Sequence, residues 1–201
     1  NGFMSPSTSK TINIGVNHFT DKSKTKVTLY RSNISNEMFY NNSTSKNTNL
    51  DKSHKQGLEL QNLFVVSPKW STNVNYAYTN AIIDKEADNS AFNGKTNPMT
   101  SKHNITASVI YGFNDKANMT LTQKYRSKAF VEEDYSNTSS QKQQAYNSTN
   151  FNFSYNPNDD LEFKFDVENL FKNSYGTWVR ADAIYPGNSS RNIKAELSYK
   201  F

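Results

Sequence analysis

Residues 191–201 alternate without interruption: Arg191, Ile193, Ala195, Leu197, Tyr199 and Phe201 fall on one side, Asn192, Lys194, Glu196, Ser198 and Lys200 on the other. Side chains of a β-strand point to opposite faces with a period of two, so this is a strand with one apolar and one aqueous face. A sheet built from such strands has to separate an oily medium from water.

Composition sets the same limit. Only 34% of the 201 residues are hydrophobic and the mean hydropathy is −0.85, which leaves little material for a soluble core. The longest apolar run, residues 63–66, is far short of the roughly 20 residues of a membrane-spanning helix. A barrel wall escapes this limit, because only every second residue must be apolar over a band about 25 Å tall. Aromatic residues reach 13%, unlike disordered segments, which are poor in them. The chain has no cysteine, which removes disulfide frameworks and thiolate metal sites. Its start has neither the basic nor the apolar region of a signal peptide, so it reads as a processed or excised piece. The net charge of +5 is dispersed rather than gathered in a stripe, so no nucleic-acid partner is expected.

Period-two stretches recur at residues 11–19, 26–34, 56–66, 70–81, 103–113, 118–126, 145–155, 161–171 and 191–201. That makes about nine strands, each near the ten-residue length of a barrel segment. Short connections (20–25, 67–69, 114–117, 156–160) alternate with long ones (35–55, 82–102, 127–144, 172–190). Outer-membrane barrels place short turns on the periplasmic rim and long loops outside. Faces segregate as a barrel needs. Leu161, Phe163, Phe165, Val167 and Phe171 share one side, and Glu162, Lys164, Asp166 and Glu168 the other.

Trp70, Phe113, Tyr155, Phe163 and Phe201 lie beside the short turns, where an aromatic girdle is expected. Two places resist the alternation: Phe19 falls on the polar face, and residues 63–66 are apolar on both faces. A bulge beside the turn would accommodate either. With nine strands the two ends of the chain lie on opposite sides of the membrane, whereas complete bacterial barrels have even strand numbers. Residues 1–201 are therefore expected to be the C-terminal part of a larger barrel.

The run Val167-Glu168-Asn169-Leu170-Phe171-Lys172-Asn173-Ser174-Tyr175, then Tyr185-Pro186-Gly187, Arg191 and the closing Leu197-Ser198-Tyr199-Lys200-Phe201, resembles the C-terminal pattern of TonB-dependent outer-membrane receptors. Asn188-Ser189-Ser190 separate Gly187 from Arg191, where that family has Pro-Gly-Arg. Gln56-Gly57-Leu58-Glu59-Leu60 resembles its Gly-x-Glu strand, and residues 75–81 its Tyr-x-Tyr strand. The resemblance implies an all-β, antiparallel transmembrane β-barrel of roughly 22 strands with a plugged lumen, of which this chain supplies about nine. It implies energy-coupled uptake of a scarce metal chelate, a ferric siderophore or haem, at the bacterial outer membrane. Its partners would be that ligand, outer-membrane lipid, the barrel-assembly machinery, and TonB through a plug outside these residues. Phe201 matches the aromatic read by the assembly machinery.

Cargo would meet the long loops. Tyr175, Trp178, Arg180 and Tyr185 fall within one of them, an aromatic and guanidinium set able to stack on and pair with an anionic, ring-bearing chelate. The alternative is that they pack the loop or sit at the outer interface. Tyr125 and Arg126, with Phe130, form a second candidate, and Arg126 also suits a lumen network. His54 is read as a solvated loop histidine rather than a haem ligand. Glu132-Glu133-Asp134 reads as a solvated acidic turn rather than a cation site. No cofactor or metal site is expected.

The nucleophile elbow, phosphate loop and zinc motifs are all missing from the sequence, so no enzyme is expected. Two other readings remain: a passive porin- or adhesin-type barrel, and a soluble antiparallel β-protein. The last requires Phe163, Phe165, Leu197 and Tyr199 to be buried.

Overall fold

The computed structural model describes residues 3–41, 45–180, 182–187 and 190–201. Among these described residues there are thirteen strands: β1 (Thr8–Phe19), β2 (Ser23–Asn41), β3 (Lys46–Ser67), β4 (Trp70–Lys85), β5 (His103–Asn114), β6 (Ala117–Arg126), β7 (Ala129–Phe130), β8 (Lys142–Gln143), β9 (Tyr146–Tyr155), β10 (Leu161–Glu168), β11 (Gly176–Val179), β12 (Ile184–Pro186) and β13 (Asn192–Tyr199). Nine of them form one sheet in the order β1-β2-β3-β4-β5-β6-β9-β10-β13, and every pairing in it is antiparallel. The nine long strands are those expected from the alternation. The short pairs β7–β8 and β11–β12 are separate two-stranded ladders inside long loops.

Directly opposed residues share a face, so the register turns the alternation of single strands into rows. Thr72, Val109, Leu121, Phe151, Val167 and Ile193 are successive partners across six strands. On the other face the row Thr120, Asn152, Asp166, Lys194 is polar, and it borders a groove of about 460 Å³. The apolar face is not sealed. Leu197 is 69%, Tyr199 60% and Phe163 37% exposed, not the burial that a soluble antiparallel β-protein requires, and the sheet has the form of part of a transmembrane barrel wall whose apolar face suits lipid.

Each short turn is closed by a side-chain oxygen accepting a backbone amide. Thr20 Oγ1 accepts from Ser23 (2.9 Å), Ser67 Oγ from Trp70 (3.2 Å), Asn114 Oδ1 from Ala117 (2.9 Å) and Asn158 Oδ1 from Leu161 (2.9 Å). Short polar side chains mimic a backbone turn in this way. The aromatic residues beside these turns touch: Trp70 lies 4.5 Å from Tyr111, Tyr111 4.9 Å from Phe113, and Tyr199 5.1 Å from Phe201. A register shift between Val65 and Ser67 leaves Val66 as the extra residue, the bulge expected there. At Phe19 there is none: it pairs with Lys24 in unbroken register and stays on the polar face.

Several boundaries differ from expectation. The long connection 35–55 is mostly strand, because β2 and β3 run 19 and 22 residues, well past the 9–11 that cross a membrane. The strand from Leu161 stops at Glu168, so Phe171 is an exposed turn residue rather than part of the apolar row. Asn169 causes the stop. It is fully buried with φ 51°, a conformation asparagine tolerates better than most residues. Its amide side chain accepts from Asn173 N and donates to Asn173 O, both at 2.9 Å. Arg191, expected on the apolar side of the last strand, precedes β13 and donates Nε (3.0 Å) and Nη2 (2.6 Å) to the Leu170 carbonyl.

Above the sheet the loops have a core of their own. Phe39, Leu50 and Ile83 are buried together, with Phe92 and Tyr135 packed on them; the Phe39 and Tyr135 rings are 4.7 Å apart. Glu37 ties the same elements by accepting from Ser53 Oγ (2.8 Å) and Asn97 Nδ2 (3.3 Å), with Lys55 Nζ at 3.5 Å. Burial, reinforced by Glu37, Glu132 and Glu133, pushes the Tyr135 hydroxyl up to about 12. Burial likewise raises the Glu86 carboxyl, against the lowering effect of the Asp51 and Asp88 amides.

Leu121→Arg in the full-length protein is expected to cost about 2–4 kcal/mol in urea unfolding from vesicles, while Thr120→Arg, one residue away on the polar face, changes little. Equal costs would show that the faces do not differ in solvent. The docked Tyr135 is neutral, so its contribution to loop packing is complete below pH 10 and disappears as pH rises through about 12. In a 295 nm titration, wild type minus Tyr135→Phe should leave one step near pH 12, shifted down by Glu37→Gln. A step in the ordinary tyrosine range near 10 would place the ring outside the cluster.

Candidate functional site

At the rim that carries the long loops, five of the six residues singled out by sequence occupy three places on or above the polar face, and Tyr125 lies apart. Trp178 and Tyr185 are opposed on β11 and β12 and their rings stack at 4.5 Å. The Trp178 indole donates to Glu132 Oε2, while Glu132 N donates to Val179 O at 2.8 Å. The β11–β12 hairpin is thereby held against the loop that follows β7. Arg180 lies 3.7 Å from Glu133 and 3.8 Å from Asp182. Its Nε is buried and makes no hydrogen bond among the described residues, an unmet donor within this aromatic set.

Tyr175 stacks face to face on Tyr146, 4.4 Å apart and 2° from parallel. The two rings, with Lys142, Val179, Ile184 and Pro186, line a cleft of about 320 Å³. Tyr146 is the cross-strand partner of Arg126, which puts it on the polar face, and the cleft thus opens at the mouth of the lumen. Lys142 also sits 4.0 Å above the Phe130 ring.

Arg126 occupies the third place. With Lys55, Thr79, Met99, Thr100, Ser101 and Asn104 it lines a recess of about 260 Å³ on the same polar face. Arg126 is exposed and in no ion pair among the described residues. Two cations and several hydroxyl and amide groups make this recess suited to an oxyanion. Tyr125 does not join it: it pairs with Ile105 and Asn147 on the apolar face.

The acidic turn is not solvated as expected. Asp134 is buried, accepting from Thr138 N (2.8 Å) and Ser139 N (3.2 Å), with Lys142 Nζ at 3.4 Å. Its neighbours Glu132 and Glu133 hold Trp178 and Arg180. Among the described residues no group of three His, Cys, Asp or Glu could hold a metal ion. His54, expected in a loop, lies within β3, bonded through Nδ1 to Asp84 at 2.7 Å. Sequence reasoning missed Lys55 and Tyr146. Lys55 is in phase with Gly57 and Glu59, so its face was readable, but its approach to Arg126 depends on four strands in register. Asn188 and Ser189, which lengthen the connection before Arg191, lie outside the described residues.

Solved structures share this architecture. The ferric-catecholate import receptor Fiu from E. coli K12 superimposes with a TM-score of 0.74 at 20% identity, over 98% of this chain and 28% of that one. The siderophore receptor PiuA from Acinetobacter baumannii gives 0.76 at 20% identity, over 96% and 28%. The copper transporter OprC gives 0.80 at 15% identity, over 98% and 32%. The chain therefore spans about three tenths of the length of these structures. A search of curated proteins finds no match. The TonB-dependent receptor-like β-barrel family matches residues 1–170, and with the membrane-facing rows and the polar lumen wall in place, the chain belongs to that family.

Proposed function

We propose that this chain is the C-terminal part of the wall of an outer-membrane receptor that takes up a scarce anionic metal chelate of the ferric siderophore class, with haem as the neighbouring cargo. The observation that carries the proposal is the convergence, at one mouth of the polar face, of the Arg126–Lys55 recess and the Tyr146–Tyr175 stack. Guanidinium and ammonium groups meet the oxygens of a chelate, and aromatic faces meet its rings. Arg180, with its unmet Nε, and the Trp178–Tyr185 stack would add contacts from the β11–β12 hairpin. The similar folds of a ferric-catecholate import receptor, a siderophore receptor and a copper transporter support a chelate or metal cargo.

The task is binding and passage rather than chemistry. β1 and β13 are each paired along one edge only, and an open edge cannot persist in hydrocarbon. Further strands of a longer barrel of roughly 22 would close it, and a plug elsewhere in that receptor would contact TonB. Phe201, whose ring meets Tyr199 edge to face, is the assembly signal in this reading, and Tyr125 sits at the lipid interface.

A strain lacking the receptor should lose growth on at least one ferric chelate supplied as sole iron source; undiminished growth on every chelate would overturn uptake. In the purified full-length receptor, Arg126→Gln should weaken the chelate so identified about tenfold, since a charged hydrogen bond is worth about 1.5–3 kcal/mol. Tyr125→Phe should leave its affinity unchanged.

A further inference from the structure

The two places that resist the alternation, Phe19 and residues 63–66, meet on the polar side of the wall. Phe19, Lys24, Leu63 and Asn73 are successive cross-strand partners there. One row nearer the short turns, so are Val65, Ser71 and Ile110. Phe19 is 67%, Val65 40% and Leu63 38% exposed. Phe19, Leu63, Lys24, Lys26 and Asn73 border a recess of about 370 Å³. Lys24 and Lys26 are exposed and in no ion pair among the described residues. Beside the short turns, then, β1–β5 offer the lumen apolar side chains and two cations that the wall does not answer.

The opposite end of the same face is built differently. The polar rows of β10 and β13 hold no apolar residue, and each charged side chain in them has a partner on the wall. Glu162 meets Lys164 and Glu196 meets Lys194, while Asp166 accepts from Asn152 and Glu168 from Asn192. This surface is complete when wetted by water alone. The apolar patch on β1–β5 is not, and an exposed apolar patch rimmed by polar groups marks an interaction site.

What covers the patch has to come from inside the cylinder. Phe19 is on the edge strand, but Leu63 and Val65 lie two strands in and Ile110 four, beyond reach of the next wall strand. Once closed, the barrel admits neither lipid nor a second copy to its lumen. Nine strands take 201 residues here, so a wall of roughly 22 takes about 500. The solved structures of which this chain covers 28–32% run to roughly 600–700 residues, leaving on the order of 100–200, the size of a domain. We propose that the domain filling the lumen is anchored on one side only, on β1–β5, by a segment that sets apolar side chains against Leu63 and Ile110 and carboxylates against Lys24 and Lys26. It rests against β10 and β13 without an anchor. The proposal depends on the closed, plugged barrel of the preceding subsection and is independent of the cargo.

The test is ion conductance of the full-length receptor in planar bilayers, titrated with urea. The filled wild-type lumen should be silent at first and open at a defined urea concentration, while heat-modifiable gel mobility shows that the barrel is still folded. Leu63→Asn/Ile110→Asn should lower that concentration by roughly 1 M. Lys24→Gln/Lys26→Gln should lower it too, and should abolish the further fall that screening by about 1 M KCl causes in wild type. Asp166→Asn/Lys194→Gln, on the unanchored side, should leave it unchanged. A photo-crosslinking benzoylphenylalanine in place of Leu63 should capture a segment outside residues 1–201, and one in place of Glu196 should capture at least tenfold less. Unchanged opening in both β1–β5 variants, an equal shift in the β10–β13 variant, or equal crosslinking from the two positions overturns the proposal. Conductance in wild type without urea overturns the filled lumen itself, and growth on ferric chelates reports the uptake reading separately.

Discussion

In hydrocarbon a backbone amide has no water to turn to, so each N–H and C=O within the membrane must find its partner in the ladder. That requirement fixes register, and register fixes which side chains meet lipid, because a slip of one residue carries a whole strand's apolar set to the other face. The irregularities of the sheet respect this. The shifts at Val65/Ser67 and Gly112/Asn114 lie beside the short turns, and that at Lys52/Ser53 lies near the loop rim. None interrupts the central row from Thr72 to Ile193. Gly57 serves the same end on the lumen side: a Cβ there would come within 1.9 Å of the Tyr78 carbonyl. Its absence lets the Tyr30 ring lie across β3 to bond Thr79 Oγ1 at 2.8 Å.

The two rims solve their polar groups differently. On the short-turn side one local oxygen closes each hairpin, and the turn needs nothing from its neighbours. On the other side the connections are too long for that, and they pack on one another. The tall β2–β3 hairpin contributes Phe39 and Leu50, the end of β4 Ile83, the short 3-10 turn Ser90–Phe92 its last ring, and the loop before β8 Tyr135. Asn36, at φ 58°, turns the hairpin where the ladder skips from Ser35↔Lys52 to Glu37↔Leu50, and its carbonyl accepts Asn49 Nδ2 at 2.8 Å. The mouth is therefore framed by a packed unit, to which Glu37 ties Lys55 at 3.5 Å.

How much of this could be read from the residues follows from the range of the forces involved. The strand alternation is local, and all nine long strands were legible, as were the Ser67, Asn114 and Asn158 turns and the bulge near Val66. Where β10 ends was not: Phe171 continues the period, and only the αL turn at Asn169, held by Asn173 four residues on, removes it from the sheet. Strand in 35–55 was misread as loop because that stretch is rich in asparagine and its apolar residues Met38, Phe39 and Tyr40 are consecutive rather than alternating. Among the candidate ligand residues, the Trp178–Tyr185 stack follows from a hairpin that sequence did not propose. The recess at Arg126 draws on β3, β4, β5 and β6 at once, a conjunction that no single stretch can announce.

Charge along the polar face gives these placements a direction. Lower on the wall Lys164 meets Glu162 at 2.9 Å and Lys194 meets Glu196 at 2.8 Å. In addition Lys164 stands opposite Glu196 and Asp166 opposite Lys194, and Asn152 donates to Asp166 at 2.6 Å. Such solvent-exposed pairs add little to stability because water and salt screen them, so stability alone gives little reason for the pattern. Its consequence is that two lysines are answered by three carboxylates, so this stretch does not attract an anion. At the mouth the balance differs, with Arg126 in no ion pair among the described residues and Lys55 only loosely opposed by Glu37. An anion would thus be attracted where the wall meets the loops and not along the stretch below, an arrangement that agrees with the proposed capture of an anionic chelate at the mouth.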